Sequence, residues 1–346
     1  MTARAGRLRS PLILLMVLVV TVLLGAATLL PPSLSLVSAE QEPTAGTSDG
    51  RIVGVSRPGS RSTVVRSLLR AVRAADAGRR IPSGTRPSAA RLPGDVRTLP
   101  ARCAAERDQD RHDRCAVGAT DAATRVVLFG SSHAAMWLAG LEPEARRLGV
   151  RIEPLIKYGC PPWRLQAYVD GRRYETCSSW REWAIDQIQA DPPDLVVVAS
   201  HTTFTVADGQ GRQVKRGPSW NRQWRQGVRG TVAAVQPHAD RVVVLGDATT
   251  RRMHPHLCAP RRDASMRRCE QPLTRRTRTL LQMTRKAGTA AGAAYLDTNV
   301  FFCVQRRCPV VARRYFLQRD NGGHVPASYA YAVRGAFARS LGLRAG

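Results

Sequence analysis

Arg125-Val-Val-Leu-Phe-Gly-Ser-Ser-His133 decides how this chain is read. Arg125 to Phe129 is an apolar run of strand length behind a single charge, and Gly130-Ser131-Ser132 ends it in residues that turn the chain and cap helices. Ala134 to Leu148 then reads as a helix. The alternation repeats downstream: strand Arg151 to Ile156, helix Ser178 to Gln189, strand Asp194 to Ala199, helix Trp220 to Val235, strand Arg241 to Leu245, helix Thr274 to Ala291, strand Ala294 to Asp297, helix Ser328 to Leu341. Near-continuous β-branched strands separated by helices indicate a parallel sheet covered on both faces. The expected fold is therefore α/β: a flavodoxin-like three-layer α/β/α domain of about five parallel strands. Such sheets bind ligands at the carboxyl ends of their strands, so reactive residues are sought at that edge.

Ser132 sits there, at a strand-to-helix turn where backbone N–H groups can hold a developing oxyanion. Gly-Ser-Ser is also an ordinary helix cap. Near the far end, Asp320-Asn-Gly-Gly-His324 precedes the closing helix, so an acid and an imidazole arrive at the same edge. Serine, histidine and acid are the parts of a nucleophilic relay, in which His324 takes the serine proton and the acid holds its tautomer. Blander readings suit other residues. Asp247 after the fourth strand caps a turn, His254 and His256 are surface residues of a loop, and the six tryptophans belong to core or rim, one or two of them near enough to a cleft to stack on sugar.

Cys115-Ala-Val-Gly, then Val-Val-Leu-Phe-Gly-Ser-Ser-His-Ala-Ala-Met-Trp137, then Lys157-Tyr-Gly-Cys-Pro-Pro-Trp163 resemble the SGNH-type domain of the acyltransferase family 3 proteins. The resemblance continues through Cys177-Ser-Ser-Trp, Cys258, Cys269 and Cys303…Cys308-Pro to Asp320…His324 and Ala327-Ser-Tyr-Ala, covering about residues 100–342. It implies an SGNH-hydrolase-like fold, no metal or diffusible cofactor, and acyl (usually acetyl) chemistry on envelope glycan. Ser132 matches the nucleophile of the family's Gly-Asp-Ser-His block, His324 its terminal base, and Asp320 or Asn321 its acid. Three departures stand out. Ser131 replaces the block's Asp; four steps rather than three separate Asp320 from His324; and Ser200-His201-Thr202 ends the third strand without the family's Asn. Gly159 and His201 are then the candidate oxyanion supports, with Asn321 an alternative partner for the imidazole. The many-helix membrane part of full-length relatives has no counterpart; one apolar stretch stands in its place.

That stretch, Pro11 to Leu30, has no charge, follows Arg4, Arg7 and Arg9, and ends at Pro31-Pro32. Twenty residues at about 1.5 Å rise span roughly 30 Å, one hydrocarbon core. The upstream arginines keep residues 1–10 cytoplasmic, so 11–30 reads as a signal anchor, against a cleaved signal peptide ending near Val37-Ser38-Ala39. The working domain, 99–346, is thereby placed outside the cell membrane. Residues 31–98, with eleven arginines after residue 50 against Asp76 and Asp95, read as a basic linker, within which Val64 to Ala75 could lie as an amphipathic helix on an anionic leaflet.

All eight cysteines fall after residue 100. In an exported chain they imply disulfides, and sequence order offers four local loops: Cys103–Cys115, Cys160–Cys177, Cys258–Cys269 and Cys303–Cys308. No CxxC spacing favours zinc. The 53 basic residues against 26 acidic give a net charge of +27, with 43% hydrophobic residues to build a core. Wholesale disorder is excluded, and export excludes nucleic acid as the partner of this charge. The sequence thus points to an exported, membrane-anchored serine acyltransferase or esterase acting on an envelope polysaccharide. The alternative is an inactive glycan-binding or scaffold partner of a separate membrane acyltransferase.

Overall fold

The computed structural model describes residues 49–346. The cytoplasmic tail expected at 1–10, the signal anchor expected at 11–30 and the first part of the expected linker lie outside the described residues. Among the described residues no helix is long and apolar enough to cross a membrane.

Six strands form the central sheet: β1 (Val117–Gly118), β2 (Arg125–Gly130), β3 (Arg151–Ile156), β4 (Leu195–Ala199), β5 (Arg241–Gly246) and β6 (Ala294–Asp297), in the order β6-β5-β4-β2-β3-β1. The five long strands are parallel, and β1 is a short antiparallel edge on β3. Counted along the chain, the parallel strands lie 2-1-3-4-5, the flavodoxin-like order, which puts the switch point between β2 and β4.

Period-two alternation shows why the sheet needs two covers. Val126 and Leu128 pack on one side of it with Leu68, Leu141, Phe337 and Leu341. Val127 and Phe129, their neighbours along the strand, pack on the other with Ile185, Trp224, Val228 and Ala287. The first cover contains α1 (Thr63–Asp76), α3 (Leu138–Leu148), α7 (Ala327–Ala332) and α8 (Arg334–Leu341); the second contains α4 (Glu175–Ala190), α5 (Pro218–Val235) and α6 (Arg275–Thr289). A four-residue helix, α2 (Ser132–Ala135), leads into α3. The helices expected at 134–148 and 328–341 each break once, at Met136-Trp137 and at Val333. The first break turns Trp137 inward to stack on Phe337 at 3.9 Å between ring centres.

One expectation is overturned. Residues 49–98 are part of the folded domain rather than a linker. Ser62 caps α1 by accepting from the Val65 N–H at 3.3 Å, and Val64, Leu68, Ala71, Val72 and Ala75 bury its apolar stripe against protein. That face is therefore unavailable to a leaflet. Arg51–Ile52 pairs antiparallel with Leu343–Arg344, joining the segment to the chain's end. Arginine on the exposed face of α1 disguised a stripe at ordinary helical spacing.

The four local disulfides are formed, with Cα–Cα distances of 5.6, 5.4, 5.9 and 4.1 Å. They staple irregular connections between the strands and helices. The 103–115 loop has a second anchor: the ammonium of Lys157, fully buried, donates to the carbonyls of Glu106, Arg107 and Gln109, one acceptor for each of its protons.

β2 meets β4 at its closest where the site begins. Gly130 has φ 154°, and a Cβ there would lie 1.9 Å from the Ala199 carbonyl oxygen. Gly130→Ala should cost about 2–4 kcal/mol through forced backbone displacement, read as a lower denaturant midpoint with an unchanged slope; wild-type stability in this variant would refute the close packing.

Candidate active site

Ser132 is the first residue of α2, directly past the carboxyl end of β2. Its Oγ lies 2.9 Å from His324 Nε2, and His324 Nδ1 lies 2.8 Å from Asp320 Oδ2. Sites separated by 192 residues thus meet in one hydrogen-bonded chain. Asp320, not Asn321, is the acid partner. The His324 backbone N–H also donates to Asp320 Oδ1 at 3.1 Å, so both carboxylate oxygens face the histidine.

The glycine pair accommodates the extra step. A Cβ on Gly322 would press against Asp320 Oδ1 (3.3 Å) and His324 Nδ1 (3.5 Å), and Gly323 takes φ 97° beneath the carbonyls of Ala248 and Thr249. The turn is closed by Arg319 N–H donating to His324 O at 2.9 Å and tied to the loop after β5 by Arg251 N–H donating to Asn321 O at 2.9 Å. Asn321 contributes its carbonyl to that tie, while its residue surface is exposed. Burial alone would raise the Asp320 pKa. The ring and backbone hydrogen bonds from His324 outweigh it and bring the carboxyl down to about 2.

Beneath this relay lies a second imidazole–carboxylate pair that the sequence reading passed over. His133 Nδ1 is 2.6 Å from Asp247 Oδ1, with side chains 3% and 1% exposed. Asp247 Oδ2 accepts from the Thr202 N–H at 2.9 Å and its hydroxyl at 3.2 Å. Burial pushes the Asp247 pKa up, but the adjoining imidazoles and the Thr202 amide pull it below the usual carboxylate range. Asn299, just past β6, supports the arrangement from behind: its amide donates to Asp247 O at 2.8 Å and accepts from Thr249 N–H at 3.0 Å. Asp247 and Asn299 both follow strands at the carboxyl edge, which is the signal that would have singled them out. The ring of His133 lies 4.5 Å from that of His324 and 4.7 Å from that of His201.

The other expected residues fall as follows. Ser131 is fully buried, and its Oγ caps the start of α2 by accepting from the His133 N–H at 3.3 Å. His201, on the loop after β4, is half-buried; desolvation lowers its pKa to about 4, leaving a neutral imidazole at working pH. Gly159, in the turn after β3, is exposed with φ 70° and open space about it; no hydrogen bond links it to Ser132. Five tryptophans (137, 163, 180, 220 and 224) are at most 1% exposed, so they are core rather than sugar platforms. Trp183 is half-buried against His112 at 4.8 Å. Among the described residues no cluster of His, Cys, Asp or Glu is arranged to hold a metal.

Comparisons with known proteins bear on the family and the fold. A family model described as SGNH domain (fused to AT3 domains) matches residues 102–339. No curated protein matches the sequence. Among solved structures, the chain is similar to the periplasmic domain of a lipopolysaccharide acetyltransferase from Salmonella ser. Paratyphi A, with TM-score 0.50, 14% identity, and coverage of 65% of this chain and 86% of that one. Axe2, an acetylxylan esterase from Geobacillus stearothermophilus, matches with TM-score 0.33 and 10% identity over 64% of this chain and 96% of that one. At these identities the likeness concerns the fold.

The two carboxylates should separate under mutation. Asp320→Asn should leave the fold intact and cut turnover by up to about 10⁴, through loss of the correct imidazole tautomer. Because the folded pKa lies below the unfolded value of about 3.9, the stabilisation from Asp320 is complete above that pH and is lost as pH falls through about 2. The wild-type advantage over Asp320→Asn in a pH series should therefore shrink between roughly pH 4 and pH 2, and a constant gap would contradict the bond to His324. Asp247→Asn should instead destabilise the protein at neutral pH by about 2–4 kcal/mol, since one of its buried donors loses its acceptor. Chemical unfolding at pH 7 decides the point.

Proposed function

The chain belongs to the family of SGNH domains fused to AT3 domains, and on that footing we propose that it is an exported, membrane-anchored serine acyltransferase or esterase acting on O-acyl groups of a cell-envelope polysaccharide. The observation that carries the reading is the unbroken Ser132–His324–Asp320 hydrogen-bond chain at the switch-point edge of the sheet. In the proposed reaction Ser132 Oγ attacks the acyl carbonyl while His324 Nε2 takes the hydroxyl proton. As the tetrahedral centre collapses, His324 returns that proton to the departing alcohol, and the acyl group remains on Ser132. A sugar hydroxyl (transfer) or water (hydrolysis) then attacks the acyl-serine with His324 again as base, and the serine hydroxyl is restored.

The proposed oxyanion donors are the Ser132 N–H at the start of α2, a ring N–H of neutral His201, and the Gly159 amide. Of these, the first is supported by position, since Ser132 N–H donates to no acceptor among the described hydrogen bonds. Export is supported by the four disulfides and the absence of any free cysteine among the described residues. Acetyl as the group and glycan as the acceptor draw support from the acetyltransferase named among the similar structures.

The alternative, a silent glycan-binding or scaffold protein, drew its motive from Ser131 and from the Asp320–His324 spacing. Both departures leave the hydrogen-bond chain intact. A fluorophosphonate probe should label the wild type at Ser132 and leave Ser132→Ala unlabelled, and acetyl-ester hydrolysis should fall to background in Ser132→Ala and His324→Gln. Equal background rates in wild type and Ser132→Ala would overturn the enzymatic reading in favour of the binding protein.

A further inference from the structure

Two cavities of about 530 and 200 Å³ run beside α1 and share Ser67 and Arg313 as a common wall. No residue of the Ser132–His324–Asp320 relay lines either of them. Arg61, Arg313 and Arg339 line the larger; Arg70, Arg79 and Arg80 line the smaller, again with Arg313. Among the described residues, none of these six has a carboxylate within 4.0 Å. The acid in the lining, Glu144, is 5% exposed and already answered by Arg147 at 2.5 Å and Arg334 at 3.7 Å.

Elsewhere some arginines are paired and others stand singly on the surface. Arg97 meets Glu142, Arg114 meets Glu153 and Asp191, and Arg307 meets Asp76 and Glu270. What sets these six apart is their convergence: they line two adjoining cavities, together a trough, in which the one acid, Glu144, is already engaged. Such a cluster repels itself and draws anions. The guanidinium fork matches the two oxygens of a carboxylate or phosphate better than an ammonium does. The trough's shape decides between partners of that chemistry, because a concave channel fits a single linear chain, whereas a lipid leaflet presents a plane to it.

We propose that the trough along α1 binds an anionic polysaccharide, holding sugar units that carry carboxylate or phosphate. This deepens the proposed function by giving the acceptor a charge, and it rests on that function only in calling the bound chain a substrate. The helix α7, which lends Tyr329 and Ala332 to the trough, follows directly on the turn bearing His324. A chain seated in the trough therefore lies against the element that leaves the relay.

The test is binding of polygalacturonate to the full-length protein in neutral detergent over a series of salt concentrations. Wild type should bind with an affinity that falls steeply with salt, and neutral dextran should not bind. The combined Arg61→Ala, Arg313→Ala and Arg339→Ala variant should lose about tenfold or more in affinity and show a shallower salt slope. A control variant with Arg222→Ala, Arg225→Ala and Arg229→Ala, exposed on α5, should stay within about twofold of wild type. Equal losses in the two variants, or no loss in the first, would overturn the site. So would binding to phosphatidylglycerol vesicles without binding to polygalacturonate. Ser132→Ala should bind like wild type, and the trough variant should still hydrolyse a small acetyl ester, so failure of the relay and failure of the trough are read separately.

Discussion

A buried carboxylate with three hydrogen bonds holds the carboxyl edge of this sheet together. Asp247, past the end of β5, reaches His133 on α2 through one oxygen and the Thr202 amide and hydroxyl past β4 through the other. The connections after three neighbouring strands, β2, β4 and β5, are thereby tied at one point close to the ring of His324. An isolated charge at that depth would be prohibitively costly, so the carboxylate is stable there only while every partner stays in place. This couples the position of α2, and with it Ser132, to the position of the β4 loop that carries His201. The relay above is lightly held by comparison. Its acid belongs to a surface turn, and its serine touches the histidine through a single bond.

The same economy explains the loops. The chain has long irregular connections, and four local disulfides shorten their unfolded freedom. Beside the side-chain ion pairs, two buried cations tie the loops through backbone carbonyls. Lys157 is held by three carbonyls, and Arg251 spans the carbonyls of Cys269, Cys308 and Pro309. Both cations reach carbonyls in or beside disulfide-closed loops, where those backbone acceptors would otherwise be stranded.

The strands were legible because each is an unbroken β-branched run, and all five parallel strands lie within one residue of where the alternation put them. Ser132, His324 and Asp320 were legible because they occupy the strand-to-helix turn and the final loop of a fold whose ligand edge is fixed by topology. The choice between Asp320 and Asn321 was not, since spacing alone does not reveal that Gly322 clears room and Gly323 reverses the chain under the Ala248 and Thr249 carbonyls. Asp247 was legible in position but not in role: an acid after a strand caps a turn in most proteins, and only the fold brings His133 to it. Residues 49–98 were misread because composition was weighed above periodicity. The stripe Val64, Leu68, Ala71, Val72 and Ala75 is complete, and the arginines between them lie on the other face.

The folding of residues 49–98 bears on how the charge is used. As a free linker, the basic segment would be an unstructured cloud of positive charge, selective for nothing beyond net sign. Folded onto the domain, its arginines hold fixed positions along α1 opposite Arg313 and Arg339, which come from the far end of the chain. A fixed row of guanidinium groups can discriminate by spacing as well as by charge, because each fork must find its own oxygen pair at a set distance from the next. The pairing of Arg51–Ile52 with Leu343–Arg344 is then more than a clasp on the termini. By pinning the segment that leads into α1 to the strand that follows α8, it keeps the two walls of the trough in one rigid frame, on the domain whose sheet edge carries the serine.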